Sequence, residues 1–172
     1  MRAYLPESPV ERRAFLVLML KSAGLALTGL SLAQPRPLQL GVDRCPYCNM
    51  TVIDGRFAAQ LITPLGRVYH YDAIECLVDH LNGHGPPVPE AGELYAADFA
   101  RSTARDAHYL PVAALLFLHH PRIRTPMGGG LVAFSEEAAA ERFIAERRLR
   151  DVRTLSWATL LSEGAARPWV PS

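Results

Sequence analysis

Net charge, lysine and cysteine are all in short supply in this chain, and each shortage narrows the functions open to it. Eighteen basic residues face seventeen acidic ones, a net charge of +1 with no basic run. That excludes the electrostatic footprint of a nucleic-acid binder or of a protein held on an anionic membrane surface. Lys21 is the only lysine, so arginine carries the positive charge; no function follows from that bias. The sequence has no Gly-x-Ser-x-Gly elbow, no P-loop and no dinucleotide fingerprint. Gly128-Gly129-Gly130 lacks the strand-then-helix setting that phosphate binding requires. The three cysteines are an odd number, which in an exported chain leaves at least one thiol unpaired. That argues against a disulfide scaffold and for thiols acting as ligands. At 172 residues, 49% hydrophobic and 20% charged, the chain suits one domain, or two small units sharing a sheet.

The most informative stretch is Cys45-Pro46-Tyr47-Cys48-Asn49-Met50, two thiols and a thioether within six residues. A Cys-x-x-Cys pair serves equally as a redox dithiol, half of a zinc site or a copper clip. Met50 tilts the balance towards Cu(I), because thioethers are soft ligands for which zinc has little use.

Residues 1–33 read as an export signal. Arg12-Arg13-Ala14-Phe15-Leu16 is similar to a twin-arginine signal, with Glu11 where a Ser or Thr usually precedes the pair. An apolar run over 14–32 and Ser31-Leu32-Ala33 then suit cleavage before Gln34. Left uncleaved, the run is long enough to anchor the chain in a membrane. No cysteine stands at the cleavage point, so a lipid anchor is not expected.

Residues 34–41, with Pro35 and Pro37, read as an extended linker. Residues 57–62 and 67–71 form a hairpin about the turn Thr63-Pro64-Leu65-Gly66. Asp72 and Glu75 have capping-box spacing for a helix that buries Ile74, Leu77, Val78 and Leu81 and ends at Asn82-Gly83. Residues 93–99 are a further strand, and 106–110 a short helical stretch. The second half repeats the plan. Residues 112–118 and 131–134 are strands, and Ser135 caps a helix that turns Ala139, Phe143, Ile144 and Leu149 inward. Residues 152–157 are a last strand, and Trp169 lies in a tail with no assignment. The expected fold is therefore α+β, a tandem of duplicated ββαβ units over residues 42–101 and 102–172, the first resembling a treble clef.

This order brings ligand types together. Cys76 follows Asp72 by one helical turn and His80 follows Cys76 by another. Cys45, Cys48, Cys76 and His80 are one candidate set, a tetrahedral Zn(II) site. Cys76 also falls among apolar positions, where a free cysteine packs as a small hydrophobe. Met127, between Pro126 and three glycines, is the second thioether candidate. With Cys48 and Met50 it would give a low-coordinate Cu(I) site open to an incoming ligand. His70, His108 and the pair His119-His120 are weaker candidates, since lone histidines are usually structural.

Four segments resemble the NosL-type copper chaperones. They are the Cys45–Met50 cluster, Tyr69-His70-Tyr71-Asp72-Ala73-Ile74-Glu75-Cys76, Asp106-Ala107-His108-Tyr109-Leu110, and the Pro126-Met127-Gly128 signature with its flanks. The resemblance spans about residues 43–143 and implies a tandem ββαβ fold. It also implies a Cu(I)-binding accessory protein outside the cytoplasm, in the periplasm or on the extracytoplasmic face of the membrane. Its partners would be a recipient enzyme such as nitrous oxide reductase and an associated ABC-type transporter. Ligand roles carry over onto Cys48 and Met50, and onto Met127. Asn49 stands where relatives usually have Gly, and Cys45 is a thiol many of them lack. The expectation is thus a Cu(I) carrier rather than an enzyme, with Cys45, Cys48, Met50, Cys76 and Met127 as candidate ligands and Zn(II) as the alternative metal. A thiol–disulfide oxidoreductase using Cys45 and Cys48 and a zinc-stabilised interaction module are the competing readings.

Overall fold

The computed structural model describes residues 34–171; the export signal read at residues 1–33 lies outside the described residues. Two antiparallel sheets and three α-helices make up a mixed α/β fold. Strand β1 (Ala59–Ile62) turns at Thr63–Gly66 into β2 (Val68–Tyr71), the expected hairpin. Helix α1 (Ile74–Leu81) follows, then β3 (Glu93–Ala97) and β4 (Tyr109–Pro111), giving a sheet of order β2-β1-β3-β4. The second sheet has the order β6-β5-β7, from β5 (Leu116–His119), β6 (Leu131–Phe134) and β7 (Arg153–Leu155). Helix α2 (Glu137–Glu146) joins β6 to β7, and α3 (Trp157–Ala166) follows β7. Beyond β3, the Phe99 amide donates to the Ala133 carbonyl at 2.8 Å and ties the first sheet to β6 of the second. No helix among the described residues is long and apolar enough to cross a membrane.

Both sheets are covered on two faces, so β1 is buried throughout, Gln60 included, instead of alternating between buried and exposed. Ala59 and Leu61 of β1 meet Phe117, Leu131 and Ala133 of the second sheet in one core, with α1 between them. On the outer face of the first sheet, Ile62 and Tyr95 pack with Val52, Leu38 and Leu40. On the far side of the second sheet, Leu118, Val132 and Phe134 pack with Ala139 and Phe143 of α2. Helix α1 is consequently buried on every side, including Glu75, Asp79 and His80, where sequence periodicity marks only an apolar stripe.

Several local expectations need correction. Asp72 does not cap α1: the N-cap is Ala73, without a side-chain bond, and Asp72 is turned into the interior. Ser135 does not cap α2, because its hydroxyl donates to buried Asp98, and Glu136 takes the cap position. The stretch 106–110 is not helical; Tyr109 and Leu110 pair with Ala97 and Ala96, which claim their backbone groups for the sheet. The apolar run at 112–118 opens as a 3₁₀ turn, Val112–Ala114, before β5. The last strand stops at Leu155, since the Ser156 hydroxyl accepts from the Thr159 amide at 3.1 Å and starts α3, a helix absent from the sequence reading.

Candidate metal centre

The Cys-x-x-Cys segment folds into a tight knuckle. The Cys45 carbonyl accepts from the Asn49 amide, and the Cys45 amide donates to the Met50 carbonyl, both at 2.9 Å. Closing the loop puts Asn49 in the left-handed region at φ 60°, where Gly is easiest and Asn is the next best choice. That accounts for Asn49 at a position expected to be Gly. The Arg44 guanidinium braces the knuckle by donating to the Asn49 carbonyl at 3.0 Å.

Helix α1 brings the third thiol. The sulfurs of Cys45, Cys48 and Cys76 all lie within 4.8 Å of one another, with Cys45 and Cys76 buried and Cys48 partly exposed. No disulfide links them among the described residues. Hydrogen bonds from Cys48, then from Cys76, hold the Cys45 thiol far below its ordinary value, at about 3, against the opposing effect of burial. Cys48 and Cys76 are raised in turn, each chiefly by its bond to Cys45. The three sulfurs thus hydrogen-bond one another, an arrangement that stabilises thiolate and so favours metal binding.

His80 does not join them, which corrects the Cys₃His set. Its Nδ1 meets the Tyr71 hydroxyl at 3.0 Å and its Nε2 the Pro86 carbonyl at 3.1 Å. A carbonyl only accepts, so Nε2 carries the proton and Nδ1 accepts from Tyr71, leaving no lone pair for a metal. Asp72, read from sequence as a cap, instead lies buried at the edge of the thiol cluster with Oδ1 unpartnered. Burial, then the nearby Cys48 charge, pushes its carboxyl up to about 6.

The two thioethers occupy different settings. Met50 closes the knuckle through its backbone and is 43% exposed, at the solvent side of the cluster. Met127 is partly buried and packs against the core that contains Cys45 and Cys76. Its loop is latched to α1 by Glu75, the neighbour of Cys76. Oε1 of Glu75 accepts from the Gly129 amide at 3.0 Å and from the Thr125 hydroxyl. Glu75 is fully buried, and burial raises its carboxyl to about 7. A Cβ on Gly129 would come within 2.8 Å of the Trp169 carbonyl oxygen and 2.9 Å of Glu75 Cγ, so the loop tolerates no side chain there. Sequence reasoning missed this latch; its only signal was a glutamate among the buried positions of α1.

The remaining histidines do not join the sulfur cluster. His70 is buried with Arg36, Gln60 and Tyr109, His84 meets the Gly164 carbonyl, His108 is placed by its amide on the Ser102 hydroxyl, His119 stacks edge-on against Trp169, and His120 accepts from the Arg122 amide.

The NosL family model matches residues 39–152, which contain the knuckle, α1 and the Met127 loop. The crystal structure of the copper chaperone NosL from Shewanella denitrificans is similar in fold, with a TM-score of 0.60 at 18% identity, covering 74% of this chain and 95% of that one. No curated protein matches this chain. On the family match over most of its length, the chain belongs to the NosL family.

Proposed function

We propose that this protein is an exported Cu(I) carrier, not an enzyme, that delivers copper for maturation of nitrous oxide reductase or a similar extracytoplasmic copper enzyme. The observation that carries the reading is the cluster of three sulfurs within 4.8 Å in a NosL-family chain. Thiolates select soft ions, and three of them give the low coordination number that suits Cu(I) and leaves room for exchange. Zn(II) is the alternative: a closed tetrahedral site needs a fourth ligand, both nitrogens of His80 are committed, and the remaining candidate is the buried Asp72 carboxylate. A dithiol oxidoreductase fits less well: the Cys-x-x-Cys pair converges with a third thiol, Cys76, and its Cys45 member is buried. In this reading Cys45 and Cys76 hold the ion from inside, and Cys48 and Met50 face the mouth through which it is exchanged. Met127 supplies a further thioether from the latched loop. The likeness in fold to a copper chaperone supports the cargo.

The same proposal takes residues 1–33 as the export signal and an associated transporter as a second partner. The shared strand orders β2-β1-β3 and β6-β5-β7, each about a ββαβ run, support an origin of the fold by duplication.

The test is a competition titration of the reduced protein with Cu(I) against a chelator. One Cu(I) per chain is expected, with affinity falling about a hundredfold or more in Cys48→Ser and Cys76→Ser and about tenfold in Met50→Leu and Met127→Leu. Failure to compete for Cu(I), or undiminished affinity in Cys48→Ser, overturns it.

A further inference from the structure

The geometry points to a docking site for a carboxylate-rich segment of a partner protein, in the cleft that residues 53–57, just past the knuckle, form with Phe99, Arg147 and the residues just before Met127. The cleft has a volume of about 410 Å³ and is lined by Arg56, Arg124 and Arg147 over Phe57 and Phe99, with Asp54 as its one acidic residue. Its rim is set by the two candidate metal-bearing segments: Ile53 lies three residues past Met50, and Pro126 directly precedes Met127. Asp54 is consumed locally, bonding Arg56 through both carboxylate oxygens at 2.6–3.0 Å. Arg124 and Arg147 form no ion pair among the described residues. Two positive charges are therefore left over in a concave site.

One of those charges, Arg147, is held in place. The Arg147 guanidinium lies 4.3 Å from the Phe143 ring centre and 5.7 Å from that of Phe99, and Arg56 lies 5.6 Å from both Phe57 and Phe99. Stacked in this way, Arg147 keeps its N–H edge free for bidentate carboxylate recognition and is ordered before binding, while Arg56 is already bonded to Asp54. Beside the cleft, Ile53 is 70% exposed and Met50 43% exposed, an apolar shoulder next to the charges. A segment with carboxylates flanking apolar side chains matches both parts, and a narrow concave site suits side chains better than a flat bilayer. The inference leans on the carrier reading only for its purpose, which is to bring a partner's ligands to the metal mouth.

The test follows backbone amide shifts of the reduced, metal-free protein during titration with a blocked Asp-Leu-Glu-Asp-Leu-Glu peptide. Its Asn-Leu-Gln-Asn-Leu-Gln counterpart and phosphatidylglycerol vesicles are run in parallel. Shifts confined to Ile53, Phe57, Phe99 and Arg147, abolished by about 0.5 M salt and weakened about tenfold or more in Arg124→Glu and Arg147→Gln, support the site. Arg124 is exposed, so its variant tests the site even if Arg147→Gln disturbs the Phe stack. Equal binding of the neutral peptide, unchanged affinity in Arg124→Glu, binding to vesicles but not to peptide, or no binding at all overturns it. Both variants should keep the parent's Cu(I) stoichiometry. If the parent binds peptide but no Cu(I), the docking site stands and the carrier reading falls.

Discussion

At the scale of single residues, the thiol cluster depends on one backbone conformation. Asn49 at φ 60° lets the knuckle close, so that Cys45 and Cys48 present their sulfurs to Cys76. A β-branched side chain in that region meets its own carbonyl, so Asn49→Val should destabilise the protein by about 1–2 kcal/mol, while Asn49→Gly should be close to neutral. Thermal unfolding of both variants measures this. The valine variant should also retain Cu(I) less well, because the strain falls on the segment that sets the distance between Cys45 and Cys48. Equal melting temperatures for the two would show that the knuckle does not need a left-handed residue. The Cys45–Cys48 pair was legible from spacing, whereas Cys76 read equally as a ligand or as a small core hydrophobe. The exclusion of His80 was not, since it depends on Tyr71 and Pro86 engaging both ring nitrogens, and neither partner is visible in a helical i, i+4 pattern.

Among the elements, α1 organises the interior, and distant parts of the chain satisfy its polar side chains. Asp79 accepts from the Trp169 and Val170 amides, both at 2.8 Å, just as Glu75 accepts from the Met127 loop. Asp79→Ala leaves two amides of the tail without their carboxylate and should cost about 1–3 kcal/mol. It should free the tail locally, which amide hydrogen exchange at Trp169 and Val170 would register as lost protection. Unchanged protection there would mean the tail is held by the packing of Trp169 alone. The hairpin was readable because Thr63-Pro64-Leu65-Gly66 is a local turn signal, and α1 because its apolar positions recur at helical spacing. The burial of Glu75 and Asp79 was not readable, since their partners lie 50 to 91 residues away. Helix α3 was missed for the opposite reason: β-forming residues before Ser156 carried the strand reading too far, and the serine cap was the only contrary signal.

For the molecule as a whole, buried titratable groups set opposing pH dependences. His70 is only 3% exposed, and burial holds it at about 4, down from 6.5, with Arg36 adding to and Asp43 opposing that shift. Gln60 and Tyr109 complete its surroundings without charge. The folded state therefore refuses a proton that the unfolded chain accepts, and this contribution is lost as pH falls from about 6.5 towards 4. Buried Asp72 and Glu75, raised to about 6 and about 7, act in the opposite sense. Their protonated forms suit the fold, and that contribution fades as pH rises from the ordinary carboxylate range through those values. A bare stability curve mixes the two slopes, so the informative quantity is the difference between the parent and His70→Gln, in which the amide keeps hydrogen-bonding groups but does not titrate. Chemical denaturation between pH 4 and 7 should show the parent losing up to about 3 kcal/mol relative to that variant on the acid side, with the two curves parallel above pH 7. Parallel curves over the whole range would mean that His70 titrates alike in both states and that Asp43 offsets both its burial and the Arg36 charge.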